Sequence, residues 1–372
     1  FFMKLKKIII FSPSIEDGGV EKNLFLVSNY LNANNYFVEI LTCNSEKLIH
    51  FSKGIKFIGS KNSFWQKRSR IVKYLLCLTI LFLNLLFRTD KPLIFAFQAN
   101  IYAVLIAKIL NTKVVTRSNT APEGWSKNFI KNKIYKLIIK LADDVMVNSL
   151  DFKRSFKKKF NIDAKCIYNP FDKNFIKKKL TTKNEKINFF KKGYVNIISV
   201  GRLTDQKDHL TVLKAIKSLD PDFKVKMIII GKGVKKSLLE KYIKVNKLNN
   251  KIKLIGYKKN PYPYLNKSNI VLLSSKYEGL PNILLEAQYL KKYIISTNCP
   301  TGPKEILLNG KAGDLVKIGD YKKIANLIKS YNKQKKTINN KIKVGYNNFD
   351  RFDYNLNCKK YIDFVDKNLK NN

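Results

Sequence analysis

Ile197-Ile198-Ser199-Val200-Gly201-Arg202-Leu203-Thr204-Asp205-Gln206-Lys207-Asp208 runs from an apolar, β-branched strand into a polar loop that delivers two cations. A short strand apolar on both sides suits the interior of a parallel sheet, and the helical pattern that follows marks a strand–loop–helix unit. The unit recurs. Strands are predicted at 195–200, 225–231, 252–255, 270–274, 293–296 and 314–316, and upstream at 7–11, 37–42, 93–97, 113–116, 145–148 and 165–168. Helical patterns separate most of them, so the fold class is α/β, two doubly wound parallel sheets. A chain of 372 residues exceeds what one core usually serves. The expected division is 1–170, a polar Lys- and Asn-rich connection at 171–193, a second domain at 194–345, and a helical segment at 346–372. In that last segment Tyr361, Phe364 and Leu369 could pack against either domain, the first included.

Ligands of such sheets lie beyond the carboxyl ends of the strands. Gly18 and Gly19 follow the first strand and open a helix. They permit a tight turn with positive φ, or close approach of a phosphate to unpaired N–H groups. Arg202 and Lys207 follow the strand that ends at Gly201, and such cations can neutralise a departing diphosphate. Gly231 and Gly233, and likewise Gly256 and Tyr257, end later strands; plain turns explain them as well as contacts to a base or sugar do. Glu278 and Glu286 bracket a loop, Gly279-Leu280-Pro281-Asn282-Ile283, that continues into an apolar helix. Glu286 shares a face with Ile283, Ala287 and Leu290, and a carboxylate buried there needs a protein donor or the hydroxyls of a ligand. Ser296 to Leu307, which includes Cys299-Pro300-Thr301-Gly302-Pro303-Lys304-Glu305, forms a further compact loop.

The formal charge of +45 is nearly all lysine spread along the chain. AT-rich coding bias and attraction to an anionic partner account for it equally well. The arginines are Arg68, Arg70, Arg88, Arg117, Arg154, Arg202 and Arg351. Against that lysine background, Arg117 and Arg202, which follow β-rich runs, suggest a need for a planar bidentate donor. The others read as surface or membrane-flanking cations. Five scattered cysteines with His50 and His209 offer no metal-site or triad spacing and imply a reducing compartment. No small-residue cleavage site follows the first residues, which points to the cytoplasm. Residues 71–87 are almost wholly apolar behind Trp65, Lys67, Arg68 and Arg70. The segment is short for a span and suits either a core helix or one lying in the headgroup region.

In this order the segments resemble the retaining GT-B glycosyltransferases of bacterial lipopolysaccharide, capsule and lipid-linked oligosaccharide synthesis, a glycosyltransferase family 4-like group. Gly18-Gly19-Val20-Glu21 is similar to the family's N-terminal glycine loop, Gly201-Arg202-Leu203 with Gln206-Lys207 to its phosphate segment, and Glu278 with Glu286 to its paired glutamates. The resemblance implies two Rossmann-like domains facing across a cleft, with a UDP-sugar as donor substrate and neither cofactor nor metal. It implies Glu286 on the ribose hydroxyls, Arg202 and Lys207 on the diphosphate, and Glu278 against the sugar. The N–H groups of 279–283 would approach sugar and phosphates, Gly18 and Gly19 would close over the diphosphate, and Gly201, Gly256 and Tyr257 would complete the nucleotide site. Retention implies attack on the face that the diphosphate leaves. Relatives carry a His or a Glu-Arg pair in the acceptor half; here Thr116-Arg117-Ser118-Asn119-Thr120-Ala121-Pro122 stands there, so Arg117 and Asn119 are assigned to the acceptor surface. The implied acceptor is a glycan or polyprenyl-diphosphate-linked sugar at the inner face of the cytoplasmic membrane. A basic nucleic-acid-binding protein is the rival reading, but no helix-turn-helix, zinc-finger or RNA-binding signature accompanies the charge. A non-catalytic sugar-binding relative is the other alternative; the presence of both glutamates and both cations argues against it.

Overall fold

The computed structural model describes residues 6–16, 18–119, 128–181 and 187–370. The chain divides into two compact units, one of residues 1–170 with 354–372 and the other of 171–353.

In the first unit the strands are β1 (Lys7–Phe11), β2 (Phe37–Leu41), β3 (Lys56–Ile58), β4 (Leu93–Ala96), β5 (Val114–Ser118), β6 (Asp144–Val147) and β7 (Lys165–Cys166). They form one parallel sheet in the order β3-β2-β1-β4-β5-β6-β7. β3 is an edge strand that the sequence reading lacks: it has three residues, begins with exposed Lys56, and gives no alternation to read. Alternate residues point to opposite faces of a strand, and each sheet face meets its own helices. Ile8, Ile10, Val38, Ile40 and Phe95 pack with Leu24, Val27 and Leu31 of helix Gly19–Ala33, and with Tyr361, Phe364 and Val365 of helix Tyr354–Lys370. The opposite face, Ile9, Phe11, Leu41, Ile94 and Ala96, takes Cys77, Leu81 and Leu85 of helix Arg70–Leu86 and Ala103, Val104 and Ala107 of helix Asn100–Ile109. One side of the 71–87 segment is therefore core. Among the described residues no helix is long and apolar enough to cross a membrane. Arg88 is not a free flanking cation: its guanidinium reaches Glu39 at 2.5 Å and Asp90 at 2.6 Å. That contact holds the Asp90 carboxyl well below the usual carboxylate range.

The second unit contains β8 (Val195–Val200), β9 (Val225–Ile230), β10 (Ile252–Leu254), β11 (Ile270–Leu273), β12 (Tyr293–Thr297) and β13 (Asp314–Val316). They too form a parallel sheet, in the order β10-β9-β8-β11-β12-β13. The 171–193 stretch belongs to this unit, and within it Lys173–Thr181 is helical, whereas 182–186 lie outside the described residues. From β8 the chain winds outward to β9 and β10, then returns to β11 on the other side of β8. The loops after β8 and β11 consequently part in opposite directions, which opens a crevice at the carboxyl ends of these two strands.

Candidate functional site

That switch point collects most of the residues singled out in the second half. After β8, Gly201 donates its N–H to Ile230 O at 3.0 Å and Leu203 donates to Lys232 O at 2.9 Å, which ties the loop to the end of β9. A Cβ on Gly231 would lie 1.9 Å from the Gly201 carbonyl oxygen, so only glycine permits this approach. The loop places Lys207 Nζ 2.5 Å from Glu278 Oε1, with side-chain exposures of 15% and 8%. Both charges are thus largely withdrawn from water, where each needs the other.

The surrounding backbone is fixed by side chains from neighbouring loops. Gln206 donates to the Tyr277 carbonyl at 2.9 Å, and Ser274 Oγ donates to Lys207 O at 2.8 Å. The loop after β12 closes from the far side: Glu278 N–H donates to Pro300 O at 2.6 Å, and Thr301 Oγ1 donates to Gly279 O at 3.1 Å. Gly302 has φ +90°, and a Cβ there would stand 2.2 Å from the Gly279 carbonyl oxygen. Gly302→Ala is therefore expected to cost more than about 2 kcal/mol and to displace the Glu278 loop. Urea denaturation checks the first effect, and nucleotide affinity the second.

Glu286 is buried on helix Asn282–Tyr289 and accepts a hydrogen bond from Tyr262 Oη at 3.2 Å. Tyr262 is a site neighbour that sequence reading missed; its only signal is the aromatic–proline run Pro261-Tyr262-Pro263-Tyr264. Gly279, Leu280 and Pro281 are buried, while Asn282 and Ile283, at the N-terminus of the helix, are partly exposed. Arg202 is exposed and donates to Gln206 Oε1 at 3.3 Å, so its fork remains largely turned to solvent. Gly256, φ +72°, accepts the Gly231 N–H at 2.9 Å, and half-exposed Tyr257 lies under Lys232 Nζ, 5.1 Å from the ring centroid.

His209 is buried behind the Lys207 loop. Its Nδ1 lies 3.2 Å from Ser199 Oγ, and Nε2 has no partner. Burial, assisted by the Lys207 charge, pushes the imidazole down from 6.5 to about 4. A depressed histidine is neutral when folded, so the unfolded chain binds the extra proton between those values. Stability is full above pH 6.5 and declines as the pH falls toward 4, by roughly 3 kcal/mol from this group. Urea titrations at pH 7 and pH 4.5 should show the loss in the wild type and a smaller one in His209→Gln. Burial and the neighbouring Glu278 carboxylate push the Cys299 thiol up to about 12, which argues against a thiolate nucleophile here. Among the described residues no group of His, Cys, Asp and Glu could hold a metal ion.

In the first unit Gly18 caps helix Gly19–Ala33 in an extended conformation, φ −141°, so positive φ is not the reason for glycine there. Lys22 N–H donates to Gly18 O at 3.3 Å, and Asn23 Nδ2 donates to Gly19 O at 2.9 Å. The acceptor assignment of Arg117 needs correction. β5 runs on to Ser118, so Arg117 lies within the strand with 0% exposure. Nε donates to Tyr361 Oη at 2.8 Å, one terminal nitrogen donates to Asn169 Oδ1 at 2.7 Å, and the other to Asn119 Oδ1. Asn119 in turn donates to Phe97 O at 2.8 Å. Both side chains are committed to a structural knot inside the first unit. Thr120 to Pro122, which follow them, lie outside the described residues.

Comparison with known proteins agrees with this geometry. The family model described as "Glycosyl transferases group 1" matches residues 181–348. An uncharacterized glycosyltransferase, MJ1059, of Methanocaldococcus jannaschii is 34% identical over 55% of this chain, and the match spans about half (53%) of its own length. N-acetylgalactosamine-N,N'-diacetylbacillosaminyl-diphospho-undecaprenol 4-alpha-N-acetylgalactosaminyltransferase of Campylobacter jejuni is 28% identical over 73% of this chain and 76% of its own. Among solved structures, Anabaena Alr3699/HepE in complex with UDP and glucose superposes with a TM-score of 0.79, covering 97% of this chain and 100% of its own at 17% identity. Residues 181–348 thus carry a module of the glycosyl transferases group 1 family, and the two parallel-sheet units have the GT-B fold.

Proposed function

We propose that the protein is a retaining, metal-independent hexosyltransferase. It moves a sugar from a UDP-sugar to a hydroxyl of a glycan or polyprenyl-diphosphate-linked acceptor during surface-polysaccharide assembly in the cytoplasm, at the inner face of the membrane. The carrying observation is the Lys207–Glu278 pair at the β8/β11 switch point, with buried Glu286 on the adjoining helix. The Lys207 ammonium and the Arg202 fork meet the diphosphate and neutralise the charge that grows as the glycosidic bond breaks. Glu286 accepts hydrogen bonds from the ribose hydroxyls, and the N–H groups at the start of helix Asn282–Tyr289 face the phosphates. Glu278 holds the ammonium in place and contacts the sugar. The acceptor oxygen bonds to the anomeric carbon on the face from which UDP departs, and its proton passes to a phosphate oxygen. The UDP bound by the Anabaena neighbour and the diphospho-undecaprenol in the Campylobacter relative's name support this choice of donor and acceptor.

Glu286→Gln preserves shape but weakens the acceptor for two hydroxyls. UDP affinity measured by calorimetry is expected to fall about tenfold or more. Nuclear magnetic resonance of the product should show the donor's anomeric configuration, and turnover should persist in a chelator. Unchanged affinity in the variant together with no turnover of any UDP-sugar would reject the reading.

A further inference from the structure

The stretch 171–193, expected as a connection, belongs to the second unit and reaches Glu286 there. Its helix, Lys173–Thr181, packs on helix Tyr262–Lys267, whose first residue donates its phenol hydroxyl to Glu286 Oε1 at 3.2 Å. Three contacts hold Tyr262 in place. Asn260 Oδ1 accepts the Tyr262 N–H at 3.3 Å, Asn260 Nδ2 donates to Lys179 O at 2.7 Å, and the Phe175 ring meets the Tyr262 ring edge-on with centroids 6.2 Å apart. The same segment reaches the far end of the Glu286 helix. Tyr289 Oη donates to Lys173 O at 3.5 Å, and its ring centroid lies 5.4 Å from that of Phe171.

Tyr262 and Glu286 are both buried, with 2% and 5% exposure. A carboxylate free to rotate would meet ribose hydroxyls in several orientations, whereas one tied to a fixed phenol presents a single plane. Its roughly four lone-pair sites can serve a phenol and hydroxyls together. A site built to hydrogen-bond a hydroxyl strongly rejects the analogue that lacks it, and that discrimination depends on the acceptor being held in advance. Packing does not call for the Tyr262 hydroxyl, since phenylalanine would fill the same space against Phe175. We infer that Tyr262 is a positioning residue for ribose recognition, its hydroxyl fixing the Glu286 carboxylate for the vicinal hydroxyls of the nucleotide while helix Lys173–Thr181 holds Tyr262 in register. This role rests on the UDP-sugar reading and adds to it the residue that sets the preference for ribose over a deoxygenated pentose.

Calorimetry of the full chain with UDP and with 2′,3′-dideoxy-UDP tests it. Wild type is expected to bind UDP about a hundredfold more tightly than the dideoxy compound, because two hydrogen bonds to a charged group are at stake. In Tyr262→Phe the ratio should fall to about tenfold, through weaker UDP binding with the dideoxy affinity unchanged. Asn260→Ala, which cuts the tie to Lys179 and leaves the Tyr262 hydroxyl and Glu286 in place, should lower the ratio about threefold. A ratio that stays at the wild-type value in folded Tyr262→Phe, as equal weakening toward both ligands would give, overturns the role while the donor reading stands. Wild type that binds UDP with no preference for ribose overturns it too. An unchanged ratio in Asn260→Ala removes helix Lys173–Thr181 from the role, and should Tyr262→Phe not fold, that variant decides the whole. Absence of UDP binding by wild type rejects the donor reading and the role together, so the two failures are told apart.

Discussion

Lys207→Ala is expected to lower kcat/KM for sugar transfer by about a thousandfold and to remove about 2–4 kcal/mol of stability. The two effects have different origins. The rate loss follows from withdrawing a preorganised cation from a leaving diphosphate, where no solvent cation is held ready. The stability loss follows from leaving Glu278, 8% exposed, without its 2.5 Å partner. A double-mutant cycle separates them. If the pair only braces the loop, Lys207→Ala with Glu278→Ala will be less damaging than either single change in both assays. If Lys207 serves the donor, the double variant will recover stability but not turnover, and that split is the expected result.

Arg117→Ala is expected to be the most destabilising single change in the first unit, by about 3–5 kcal/mol in urea denaturation. It empties a fully buried site and strips the partners of Tyr361, Asn169 and Asn119 at once. Arg117→Lys should recover little, because one ammonium cannot span three acceptors in a plane. UDP affinity should hold wherever the variant is folded, since Arg202, Lys207 and Glu286, proposed to hold the donor, belong to the other unit. A folded, stable Arg117→Ala that has lost only acceptor binding would restore the sequence-based assignment.

The two sheets were legible because strands such as Val195–Val200 are buried runs that end abruptly in glycine. β3 was not, since three edge residues, one exposed and two half-buried, carry no period. The burial of Glu286 could be foreseen from its apolar neighbours on one helical face. Its contact with Tyr262 could not, because the two lie 24 positions apart. The Lys207–Glu278 pairing spans 71 residues and depends on β8 and β11 lying side by side, a consequence of strand order that no local pattern encodes. The scarcity of arginine drew attention to Arg117, whose guanidinium is fully buried. It misjudged the ligand, for the guanidinium fork binds an internal tyrosine and two asparagines in place of a substrate.

The helix Tyr354–Lys370 comes late in the chain, yet it covers Ile8, Val38 and Phe95 near the beginning. During synthesis the earlier sheet must wait, one side covered only by helix Gly19–Ala33, while the whole of 171–353 emerges and can close on itself. The ribosome thus releases a completed later domain before an unfinished earlier one, and chaperone demand should centre on the leading half of the nascent polypeptide.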